Sequence, residues 1–290
     1  MFFKTNYTSN PVEIPDSFLT GPPAIPPVST PIDWASTALS ENKGRVAFVV
    51  DNVLSPDECK QLLSLAEASV PVEGDDSPWK PALISVGVGL EASAPGYRES
   101  DRIIWDQQVI AERIGGRIMQ AEGVRKLLAS FPKPAGEGLW KFRRINERMR
   151  FLKYSPGQFF KPHCDAPYTY EKDGACFETK YTIQLYLNDS AAADSTSELV
   201  GGATSFLSTD GKRRVDVNPR AGSALVFQHT ALLHEGATVE AGVKYTMRGD
   251  IIYEREESEV EKEDKMKSLF QGLVGEVMEM ERFTRCAALI

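Results

Sequence analysis

The chain has 290 residues, 42% of them hydrophobic and 26% charged, which suits one large globular domain. The formal net charge of −8 argues against a protein that works by neutralising the phosphates of nucleic acid or of a lipid surface. No window of about 18 apolar residues reads as a membrane span, the start MFFKTNYTSN lacks the pattern of a secretory leader, and none of Cys59, Cys164, Cys176 and Cys286 belongs to a CxxC pair. The expectation is a reduced, intracellular, cytoplasmic protein with no nucleic-acid and no membrane partner.

In chain order, residues 1–32 are rich in Pro, Ser and Thr and read as an extended N-terminal arm that buries little. Residues 33–139 read as a helical region packed on the core. Within it RVAFVVDNVL reads as a strand, followed by a helix over SPDECKQLLSLAEA. Ser55 is placed to cap that helix, Pro56 suits its first position and Glu58 completes a capping box. Residues 71–100 read as loop, and DQQVIAERIGGRIMQAEGVRKLLASF as one helix weakened by Gly115 and Gly116.

From 140 to 253 the pattern changes to short runs of period 2, among them RMRFLKY, YTIQLYLND, GSALVFQH and VKYTMRGDIIY, separated by Gly, Pro and Asp turns. Such spacing predicts a sandwich or barrel. Residues 254–290 open as a charge run and then space Met266, Leu269, Phe270, Leu273 and Val277 as on a C-terminal helix. The whole reads as one α+β domain.

The chain has three histidines. His163 stands two residues before Asp165, and an extended segment puts such a pair on one side. One imidazole and one carboxylate can then converge on a metal if a second histidine joins them. Both His229 and His234 are available, and His234 is followed ten residues later by Lys244.

Tyr154, His163, Asp165, the TIQLYL run from Thr182, GGATSF from Gly201, His234 and Lys244 occur together in this order. That pattern resembles the 2-oxoglutarate- and iron(II)-dependent oxygenases of the prolyl 4-hydroxylase type. The resemblance covers roughly residues 140–253 and implies a double-stranded β-helix, or jelly-roll, core. It also implies iron(II) on His163, Asp165 and His234, with 2-oxoglutarate and dioxygen as cosubstrates and ascorbate as reductant. Lys244 would be the cation for the far carboxylate of 2-oxoglutarate, with Tyr154 and Thr182 as donors. Arg248 lies four residues on, shares a strand face with Lys244 and could take its place.

On the substrate side, the period of RMRFLKY puts Arg148, Arg150, Leu152 and Tyr154 on one face. The two arginines either clamp an anionic or amide-bearing substrate or sit in structural ion pairs. Gln184 and Tyr168 are further pocket candidates, with Tyr170 beside the latter; Trp79, Tyr97 and Arg102 are candidates for a lid. Cys164, between two ligands, is expected to pack rather than ligate. The function expected is hydroxylation of a C–H bond in a peptidyl, for instance prolyl, or small-molecule substrate, releasing succinate and CO2. The alternatives are another oxidation at the same metal centre, such as desaturation, epimerisation or ring formation, and a non-catalytic jelly-roll binding module.

Overall fold

The computed structural model describes residues 2–5, 7–72, 74, 76–87, 89–131, 139–256 and 266–267. Its main strands are β1 (Val28–Pro31), β2 (Ala47–Asp51), β3 (Asp101–Asp106), β4 (Leu139–Ile145), β5 (Arg148–Tyr154), β6 (Phe159–His163), β7 (Ala175–Tyr186), β8 (Thr204–Leu207), β9 (Arg214–Val217), β10 (Ala224–Gln228), β11 (His234–Gly236) and β12 (Lys244–Glu256). The helices are α1 (Pro56–Ala68), α2 (Gln108–Ile118) and the short α3 (Val124–Leu128). A larger antiparallel sheet runs β1-β2-β10-β7-β12-β5-β3, and β4 pairs with the second half of β12. A smaller sheet runs β9-β8-β11-β6 and ends on Arg98–Glu99.

Period 2 divides the larger sheet cleanly. Phe48, Val50, Phe151, Tyr181, Ile183, Leu185, Val226, Met247 and Ile251 point to one side, where they share a core with Leu62 and Ala66 of α1 and Ile110 and Ile114 of α2. The alternate residues Tyr186, Leu225 and Phe227 point to the other side and pack on Phe206 of the smaller sheet. The core is therefore a β-sandwich, backed on its outer face by helices.

α1 begins where its cap chemistry puts it. Ser55 accepts from the Glu58 amide, the Glu58 carboxylate accepts from the Ser55 amide, and Pro56 occupies the first turn. The region expected as one helix over 106–131 is broken into α2 and α3, and Gly123 takes φ +77° at the start of the second. Gly115, expected only to weaken α2, has a packing reason: a Cβ there would stand 2.4 Å from Ile145 Cγ1. Residues 71–100 hold short strands rather than loop alone, including a hairpin of Ile84–Gly87 with Leu90–Ala92.

The arm lies along the body and buries more than its composition suggests. β1 pairs with β2, Phe2–Lys4 pairs with Leu90–Ala92, and Phe18 and Leu19 are buried in the helix-side core. At the other end β12 runs on to Glu256, and the C-terminal helix expected beyond it lies outside the described residues except for Met266 and Lys267. No helix among the described residues is long and apolar enough to cross a membrane.

The turn before β10 depends on Gly222. Its φ is +77°, its carbonyl accepts from the amides of Val53 and Leu54, and a Cβ would stand 1.8 Å from Leu54 O. Gly222→Ala is expected to cost about 2 kcal/mol or more of stability, read as a lowered midpoint in urea unfolding; an unchanged midpoint would show that the turn can shift freely.

Candidate active site

Three potential metal ligands come together at the open end of the sandwich. His163 closes β6 and His234 opens β11, and the two are direct partners across the smaller sheet. Asp165 follows two residues after β6, on the loop that leaves the sheet. The ligating atoms of His163, Asp165 and His234 lie within 4.8 Å of one another. Asp165 Oδ1 is 3.8 Å from His163 Nε2, and Oδ2 is 3.9 Å from His234 Nε2.

Both imidazoles are turned for ligation by local backbone. His163 Nδ1 is 2.8 Å from the Lys161 carbonyl, and His234 Nδ1 is 2.9 Å from the Leu232 carbonyl. A carbonyl can only accept, so each Nδ1 carries the proton and each Nε2 keeps its lone pair for a metal. Burial, and then the neighbouring His234, lower His163 to about 3; burial likewise lowers His234. Both stay neutral, as ligands must. Burial pushes the Asp165 carboxyl up, but Arg248 and then the neighbouring histidines together outweigh it and hold the group below the usual carboxylate range. Two neutral imidazoles and one carboxylate on one side of a cleft match the donor set and open geometry of a non-haem iron(II) site.

The cleft between the sheets encloses about 460 Å³ with its mouth included. Lys244 lies in its wall, 3% exposed. Burial alone lowers its amine to about 7, and no carboxylate among the described residues offsets it. Its Nζ sits 5.2 Å from the Tyr154 ring centroid and 5.9 Å from that of Tyr186. Tyr154 is its partner across β5 and β12 and also lines the cleft.

Other residues singled out in the sequence take different places. Arg248 is not free: its Nη2 lies 3.2 Å from Asp165 Oδ1 and 3.2 Å from Asp250 Oδ1. Thr182 donates to Asp165 Oδ2 rather than waiting for a ligand. Arg150 pairs with Asp250 at 2.8 Å. Arg148 holds Asp106 bidentately at the sheet edge, outside the cleft, because its cross-strand partner there is that aspartate. Arg102 is 8% exposed and pairs with Glu91 and Tyr7, tying the arm to the body instead of serving a lid. Trp79 is buried, with its indole N–H on Glu67.

Tyr168 is 54% exposed and stacks on Tyr170 outside the cleft lining. Cys164 is exposed rather than packed. Tyr97 is exposed, edge-on to Phe160. Gln184 does line the cleft. His229 is buried beside Asp250, 3.6 Å from Oδ1, with no hydrogen bond on either ring nitrogen among the described residues.

Three contributors escaped the sequence reading. Phe160 stacks on His163 with centroids 3.7 Å apart. Simple alternation would not pair positions 160 and 163; a register shift between them brings the rings together. Arg98 also lies over the Phe160 ring, 4.6 Å from its centroid, and lines the cleft. Asp250 stands between two arginines, and the only prior signal was its period with Lys244 and Arg248.

The model of the 2OG-Fe(II) oxygenase superfamily matches residues 149–249, the stretch that runs from β5 through both histidines to Arg248 and Gly249. A probable prolyl 4-hydroxylase from Arabidopsis thaliana is 28% identical over 227 residues, covering 69% of this chain and 67% of the relative. Among solved structures, a Pseudomonas putida prolyl-4-hydroxylase is similar at 17% identity and TM-score 0.44, over 76% of this chain and 97% of that one. A Trichoplax adhaerens prolyl hydroxylase, solved with a hypoxia inducible factor peptide fragment, is similar at 14% identity and TM-score 0.47, over 75% and 88%. The superfamily match falls on the strands that assemble the His-Asp-His cluster, and over that stretch the chain is similar to the 2-oxoglutarate- and iron(II)-dependent oxygenases of the prolyl 4-hydroxylase type, which are enzymes.

Proposed function

We propose that the protein hydroxylates a C–H bond of a peptidyl or small-molecule substrate, with iron(II) on His163, Asp165 and His234. The observation that carries this reading is the pair of Nδ1 contacts to backbone carbonyls, which leaves both Nε2 atoms for a metal next to an ionised Asp165. We read the sandwich as the double-stranded β-helix of the family, with 140–256 as its catalytic core and the arm and helices as supports. When bound, the metal and its cosubstrate supply oxidation by dioxygen, 2-oxoglutarate leaving as succinate and CO2. Ascorbate would keep the metal reduced.

The chain's own residues divide the remaining work. Lys244 is the anchor for the far carboxylate of 2-oxoglutarate, because it is a buried cation with no carboxylate partner among the described residues, whereas Arg248 already serves two. Tyr154 sits beside that anchor as the hydroxyl donor. Thr182 and Arg248 act on Asp165 instead. Arg98 and Gln184 line the cleft and are the groups placed to meet polar atoms of a substrate. Placement of the substrate above the metal decides between hydroxylation and another oxidation.

Two measurements test this reading. Succinate formation from 2-oxoglutarate with iron(II) and ascorbate should be abolished by His234→Ala, while His229→Ala should keep metal binding. Loss of metal with His229→Ala alone would reverse the ligand assignment. The second is pH dependence. Lys244 in the ligand-free protein is lowered to about 7 and must be protonated to hold a carboxylate. Affinity for 2-oxoglutarate should be full below about pH 7 and fall by up to about tenfold per pH unit above it, with proton uptake seen by calorimetry in buffers of different ionisation heat. A flat profile from pH 7 to 9 would remove Lys244 as the anchor.

A further inference from the structure

The inner face of β12 presents Lys244, Thr246, Arg248 and Asp250 in succession. Lys244 has no counter-ion among the described residues, and the rest of the charge on this face is paired. Asp165 and Asp250 are opposed by Arg248 and Arg150 in a ladder whose formal charges cancel. Both carboxylates are buried, with side chains 6% exposed. His229 closes the far end against Asp250. Arg248 Nε is buried with no partner, so the guanidinium forgoes one hydrogen bond in the position that spans the two carboxylates.

Asp165 stands on a loop, beyond the strand that carries His163, and its two oxygens are held from the opposite sheet. Thr182 of β7 donates to Oδ2, and the Arg248 guanidinium of β12 forms an ion pair with Oδ1, Nη2 at 3.2 Å. One contact would leave the carboxylate free to turn about its Cβ–Cγ bond; one on each oxygen restrains its plane. The two partners are themselves in register, since Thr182 pairs with Asp250 and Gln184 with Arg248 across β7 and β12.

We propose that Arg248, backed by the Arg150–Asp250 pair, is a positioning residue that sets the direction in which Asp165 offers its carboxylate to the metal. The inference rests on the iron reading above. It assigns Arg248 to the metal ligand and Arg150 and Asp250 to Arg248, with none of the three touching substrate. Because the ladder is neutral, it does this without drawing the anionic cosubstrate away from Lys244.

The test removes the backing without changing the charge. In the full chain, Arg150→Met with Asp250→Asn deletes one positive and one negative group together. Cobalt(II) binding is followed by titration and by its visible absorption bands, which report ligand geometry. The double variant is expected to bind cobalt(II) about tenfold or more weaker than wild type, with shifted bands and a retained cooperative melt. Wild-type affinity and bands would overturn the proposal. If the double variant does not fold, Arg248→Lys keeps the charge and shortens the reach, and wild-type values in that variant would overturn it equally. Wild-type protein that binds no cobalt(II), or binding that survives His234→Ala, would overturn the iron reading and this inference together; normal wild-type binding with unaffected ladder variants would overturn this inference alone.

Discussion

Arg248 forms ion pairs with Asp165 and Asp250, and donates a hydrogen bond to Asp250, between two sheets, where a guanidinium and two carboxylates would each be costly if left alone. Much of the site's electrostatics follows from that contact. Arg248 and Arg150 together lower the Asp250 carboxyl against the opposing effect of burial, and Arg248 with the neighbouring histidines does the same for Asp165. Both carboxylates therefore stay ionised in a desolvated place. With those charges matched, the inner wall holds Lys244 with no carboxylate partner among the described residues. The site thus separates a set of matched charges beside Asp165 from a lysine that stands apart from them.

The division of labour between the sheets follows the same logic. The smaller sheet brings the two histidines face to face by direct strand pairing, and its backbone carbonyls set their tautomers. The larger sheet supplies the donors that hold Asp165 and the lysine deeper in the cleft. Phe160 packs against both Arg98 and His163, which links one metal ligand to another residue of the cleft lining. Such a site is organised before any metal arrives, since every ligand already has a partner on its non-ligating side.

Much of this could be read along the chain where the signal is local. The capping box at Ser55, the strand periods after 140 and the His-x-Asp pair need only neighbours in sequence, and each has its counterpart in the structure. Period 2 also put Arg150, Leu152 and Tyr154 on one face correctly, because alternation is a property of the strand itself. Partners were harder. Arg148 and Arg150 share that face, yet one meets Asp106 at an edge and the other Asp250 inside. Arg102 found Glu91 and Tyr7, residues brought near by the path of the arm. Thr182 was read as a cosubstrate donor, but Asp165 lies in its reach once the loop after β6 folds back.

The sequence by itself determined which residue types could ligate a metal, which strands alternate and which stretch forms the sandwich, because side-chain chemistry and backbone period are local. Only the tertiary structure decided which charges are matched and which is left open. Lys244 and Arg248 are four residues apart on the same face of one strand, and nothing in their spacing distinguishes them. One lies against tyrosine rings with no counter-ion among the described residues, and the other lies between two aspartates. That difference is made by β5, β7 and the loop after β6 arriving from elsewhere in the chain, and a buried charge takes its role from what arrives beside it.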